Sequence, residues 1–151
     1  MDQDAYHKVY RELNQLGCLF EKGILSGQCN CSRAAKFYLA EREGVHCSSS
    51  QGQHRCAELL DLLIAHARFA IKSATQSSVL PHAKVMRIQI GGLKGLYLLL
   101  HQVDRPPAVV DDIYLLVEQA ANRFNGLDRL PFSEIIRQVA AYQGRIRRSR
   151  R

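Results

Sequence analysis

The residues of this chain best suited to chemistry are its five cysteines. Four of them, Cys29, Cys31, Cys47 and Cys56, fall within 28 residues, and the full spacing is Cys18-x10-Cys29-x-Cys31-x15-Cys47-x8-Cys56. Thiolates hold zinc in a tetrahedron, or take one iron each of an iron–sulfur cluster. The spacing lacks the Cys-x-x-Cys knuckles of a zinc ribbon and the cysteine run of a ferredoxin, so the expectation rests on density and on the Cys29-Asn30-Cys31 pair. Iron–sulfur ranks ahead of zinc because such sites tolerate long, irregular spacings on helices. In addition, Cys31 and Cys56 stand at expected helix starts, where the dipole favours an anionic cluster. The expected ligands are Cys29, Cys31, Cys47 and Cys56, with Cys18 as substitute. Zinc is the alternative, and His46 or His54 would support it. The same dipole lowers a thiol pKa, which leaves a redox thiol switch as a third reading. Simple packing of small apolar side chains is the plain one.

The compartment follows from what surrounds the cysteines. The opening Met1-Asp2-Gln3-Asp4 is acidic and has no apolar region, and no apolar run approaches 18 residues. Neither a secretory leader nor a transmembrane helix is therefore expected, and the protein is placed in the cytoplasm, where thiols stay reduced. The net charge is +7, yet Arg145, Arg147, Arg148, Arg150 and Arg151 crowd the last seven residues, and without them the body carries only +2. That tail suits nucleic-acid phosphates held without sequence preference, or an acidic protein partner. No recognition-helix pattern supports sequence-specific DNA binding.

Catalytic sets are missing from the pattern. His66, His82 and His101 fall into no Ser/His/Asp or His-Glu-x-x-His arrangement, and Asp111-Asp112 suits a helix dipole better than chemistry. Gly91-Gly92-Leu93-Lys94-Gly95 is not a Walker loop and reads as close helix packing. The chain is thus expected not to be an enzyme.

The elements that must position the cysteines read as helices. Tyr6, Val9, Tyr10, Leu13, Leu16 and Phe20 predict a first helix from Asp4 to about Lys22, with Cys18 near its end. A second helix is expected from Ala34 to about Arg42, capped by Ser32, with Cys47 in the polar loop that follows. The third runs from about Gln53 to Ser73 and, apolar around much of its circumference, is expected at the centre of the core. Residues 85–90 alternate like a strand, but no partner strand is evident, so Pro81 to Val103 is read as helix with a kink at Gly91-Gly92. Two more helices are expected, Ala108 to Phe124 and Ser133 to Tyr142. The sum is one all-α domain of five or six helices over 1–144, with a cysteine-rich segment at 29–56 and a basic tail at 145–151. The expected function is a small cytoplasmic iron–sulfur protein in redox sensing, electron transfer or cluster handling, with a protein partner. The alternative is an accessory protein that binds nucleic acid or an acidic partner through its arginine tail.

Overall fold

Two aromatic rings and a glycine decide the first departure from an all-helical chain. Phe37 of β1 (Ala34–Leu39) lies opposite Gly44 of β2 (Arg42–Cys47) in an antiparallel hairpin. A side chain at Gly44 would collide with the Phe37 and Tyr10 rings. The expected second helix is therefore a hairpin, and the fold is mixed rather than all-α, a helical frame carrying one small antiparallel sheet. Phe37, Tyr38 and Leu39 are favoured in strands as readily as on a helix face. The turn between the strands carries no hairpin signature. Its central residues are Ala40 and Glu41, both at positive φ (49° and 66°), where Asn-Gly is usual.

In this computed structural model, residues 3–13, 16–68 and 81–142 are described. Helix α1 (Gln3–Leu13) is shorter than expected. Instead of continuing it, Leu16 to Cys18 runs as a third extended segment along β2. Gly17 bridges His46, the Cys18 N–H donates to the Val45 carbonyl at 3.0 Å, and the Cys47 N–H donates to the Leu16 carbonyl at 2.7 Å. Gly17 disfavours helix here. A short α2 (Glu21–Leu25) follows, and Glu21 binds it to the hairpin by accepting from the Val45 N–H at 2.7 Å and from the Tyr10 hydroxyl.

Helix α3 (Ser50–Ala67) begins three residues earlier than expected, because Ser49 caps it by accepting from the Gly52 N–H at 3.0 Å. Helix α4 (His82–His101) runs unbroken through Gly91-Gly92. It, rather than α3, is the central element, burying Ile88 to Leu93 in succession as well as Gly95 and Leu96. Its glycines serve close packing: a Cβ at Gly91 would come within 2.7 Å of the Val139 Cα, and one at Gly95 within 2.7 Å of the Ile135 carbonyl oxygen. Both neighbours belong to α6 (Phe132–Ala141), which crosses α4 at backbone contact. Helix α5 (Ile113–Arg123) starts at the Asp112 cap instead of at Ala108, and a 3-10 turn (Leu127–Arg129) leads on to α6. One apolar core joins these helices to Phe20, Ile24, Val45 and Val110. Among the described residues no helix is long and apolar enough to cross a membrane. The end of the expected third helix beyond residue 68 and the arginine tail at 145–151 lie outside the described residues.

Candidate thiol site

The cysteines come from separate elements and meet at the open end of the hairpin. Register pairs Ala34 with Cys47, and the Ser48 N–H donates to the Arg33 carbonyl at 2.8 Å, which brings the Cys31 loop beside Cys47. Cys18 flanks β2 on its other side through the Leu16 to Cys18 pairing. Helix α3 supplies Cys56. Its Gln53, one turn earlier on the same face, donates from Nε2 to the Gly17 carbonyl at 3.1 Å and so turns that face towards Cys18. An intervening helix of ten residues would have held Cys31 and Cys47 about 15 Å apart. The hairpin removes that separation.

Electrostatics separates four of the thiols from the fifth. Cys18, Cys31, Cys47 and Cys56 each lie within electrostatic range of the other three. Of the other thiols Cys29 senses Cys18 and Cys31, and Lys94 also acts on it. It is fully buried behind them, and a Cβ on Gly23 would come within 2.8 Å of its sulfur. Burial pushes the thiols of Cys18 and Cys29 up to about 12, with neighbouring thiolates adding to the rise. Burial also raises the Cys31 thiol, helped by the Asp112 carboxylate and then Cys47, and the Cys56 thiol, helped by Cys18, Cys31, Cys47 and Glu118. Burial thus favours the protonated form, and the Cys47 sulfur donates to the Ser49 carbonyl at 3.2 Å. All five cysteines are free.

Backbone N–H groups are aimed at these sulfurs. That of Phe20 favours the Cys18 thiolate, and those of Arg33 and Tyr114 favour the Cys31 thiolate. Such donors favour an anionic sulfur and work against the desolvation. Tyr114 closes one side, its ring stacked under the Arg33 guanidinium at 4.6 Å and packed on Gly52 at the start of α3. These donors escaped the sequence reading because a backbone N–H has no residue signature. Only the helix start at Asp112 hinted that free N–H groups would be nearby.

The expected ready-made metal centre is corrected. Among the described residues no three His, Cys, Asp or Glu side chains are grouped closely enough to hold a metal ion. Four sulfurs on one zinc would stand about 3.8 Å apart, given Zn–S near 2.3 Å in a tetrahedron. What the fold provides is four free thiols within electrostatic range of one another. Neither histidine completes a tighter group: His46 is paired within the sheet opposite Ala35, and His54 is exposed on α3. Arg145, Arg147, Arg148, Arg150 and Arg151 lie outside the described residues. No protein-family model matches the chain, and no curated protein or solved structure matches it significantly.

Proposed function

We propose that this chain is a small iron–sulfur protein, acting in the cytoplasm in electron transfer, redox sensing or cluster handling, with Cys18, Cys31, Cys47 and Cys56 each taking one iron. The observation that carries the proposal is the mutual proximity of these four thiols, drawn from four separate segments, with backbone N–H groups directed at two of them. A cluster suits thiols spaced too widely for one ion better than a single ion does. It brings its own bridging sulfides and spreads its thiolate ligands over several irons. The ligand set differs by one from that expected from spacing, since Cys18 replaces Cys29.

Burial favours the protonated form of Cys18, Cys31 and Cys56 in the metal-free protein, so cluster binding must displace protons and tighten as pH rises towards the thiol range. The iron charge then offsets the repulsion among thiolates. The Phe20, Arg33 and Tyr114 N–H groups stabilise the sulfurs in the anionic form that ligation requires, and hydrogen bonds to cluster sulfurs are among the factors that set reduction potential.

The test is a panel of single Cys→Ser variants purified without oxygen and assayed for iron and acid-labile sulfide. Cys18→Ser, Cys31→Ser, Cys47→Ser and Cys56→Ser should each lose most of both. Cys29→Ser should retain them. Full retention by Cys18→Ser together with loss by Cys29→Ser would restore the set expected from spacing. Retention by all five would remove the cysteines from the site.

A further inference from the structure

Two N–H groups in the first turn of α5 meet one short loop, and the next two meet Asp112. The Ile113 N–H donates to the Asn30 carbonyl at 2.9 Å, and the Tyr114 N–H donates to the Cys31 sulfur. The Leu115 N–H donates to the Asp112 carboxylate at 3.5 Å, and that of Leu116 to the Asp112 carbonyl at 3.1 Å. These are the groups that a helix start leaves without intrahelical partners. The same carboxylate oxygen that caps α5, Oδ1 of Asp112, also accepts from the Ser32 N–H at 3.0 Å and the Ser32 hydroxyl at 3.1 Å. Asp112 is separated from Ser32 by 80 positions in the chain, so these bonds are a tertiary clamp. A strand-like ladder supports it from behind. Asn30 N–H donates to the Val110 carbonyl at 2.8 Å, and Val110 N–H donates to the Gln28 carbonyl at 3.2 Å.

We propose that Asp112 is a positioning residue of the thiol site: by capping α5 and gripping Ser32 with one oxygen, it fixes the Cys31 loop against the start of α5. A cap alone needs only the bond to Leu115. The two bonds to Ser32 add nothing to the helix. Their effect is to fix the residue that follows Cys31, while the Arg33 N–H holds the same sulfur from the other side. The placement of Cys31 therefore depends on a distant side chain. The carboxylate also puts a negative charge near that sulfur, which would hold the potential of a bound cluster down. This redox consequence rests on the iron–sulfur reading above, whereas the placement of Cys31 does not.

The test compares wild type, Asp112→Ala, Asp112→Asn and Ser32→Ala in the reduced, metal-free full chain. Each thiol's alkylation by iodoacetamide at fixed pH is followed by peptide mass spectrometry. Losing the grip on Ser32 should raise Cys31 labelling about tenfold in Asp112→Ala, as expected for the loss of one to two hydrogen bonds. Cys18, Cys47 and Cys56 should keep their wild-type rates. Asparagine also caps helices and accepts from Ser32, so Asp112→Asn should stay within about twofold of wild type. Ser32→Ala, which keeps the backbone bond, should fall between the two and serves as the deciding variant if Asp112→Ala does not fold. Wild-type labelling of Cys31 in Asp112→Ala, or equal acceleration of all the thiols, would overturn the proposal. In cluster-loaded protein, Asp112→Asn should raise the reduction potential with iron retained. An unchanged potential would remove the electrostatic part, and a wild type that takes up no iron would fail the cluster reading alone.

Discussion

At Gly91 and Gly95 the missing side chain is what lets α4 and α6 touch. A methyl group at either would meet α6 backbone, at Val139 and Ile135, and backbone cannot swing aside. Overpacking of this kind costs about 1–3 kcal/mol, more than the roughly 1 kcal/mol that alanine gains over glycine in a helix. Gly91→Ala and Gly95→Ala should therefore each lower unfolding stability by about 1 kcal/mol in urea denaturation. Gly92→Ala is the internal control. Its Cβ would meet the ends of the Leu63 side chain, which can rotate, so the two effects should nearly cancel. Close packing across these glycines could be read from the sequence, because Gly-x-x-x-Gly within an apolar helix leaves few other uses. The partner could not be read, since which helix fills a groove depends on the tertiary arrangement. The kink expected at the same glycines does not form, as α4 hydrogen bonding continues through them.

The hairpin is the element on which the site depends, and the sequence concealed it. Its turn holds two non-glycine residues in the left-handed region, which costs about 1–2 kcal/mol per residue. Glu41→Gly should relieve that strain, and after glycine's extra chain entropy is subtracted, should raise stability by about 0.5–1 kcal/mol. A thermal melt with no upward shift would mean that neighbouring contacts already compensate. The strand pattern was blurred for a physical reason. A hairpin with solvent on one face needs only a few inward side chains, and β1 supplies them irregularly. The α3, α5 and α6 helices were legible because their apolar positions recur at helical spacing. Their starts were misplaced by a few residues where a tertiary role took over, as at Val110, whose backbone pairs beside Cys29 before α5 begins.

For the whole molecule, the thiols couple stability to pH. The folded state holds Cys18 and Cys29 protonated up to about 12, whereas in the unfolded chain thiols ionise near 8.5. The unfolded state therefore binds fewer protons above that value, and stability must fall as pH rises. The contribution of these groups is fully present below about pH 8 and declines as pH climbs towards the folded values. Metal-free reduced protein should show urea midpoints that are flat for these thiols near neutrality and fall through the alkaline range. Cys29→Ala should lessen the slope. The density of cysteines was legible as a site, but membership was not. Spacing favoured Cys29 over Cys18 because it is nearer in the chain, whereas the extended pairing of Gly17 with His46 brings Cys18 in and leaves Cys29 behind.

The most direct measurement of the central claim is iron and acid-labile sulfide per chain, taken with the visible spectrum, on wild-type protein reconstituted without oxygen. One iron per thiolate predicts about four irons and four sulfides per chain, with a broad absorption that bleaches on reduction. Colourless protein with stoichiometric zinc, or with no metal and five free thiols, would contradict it.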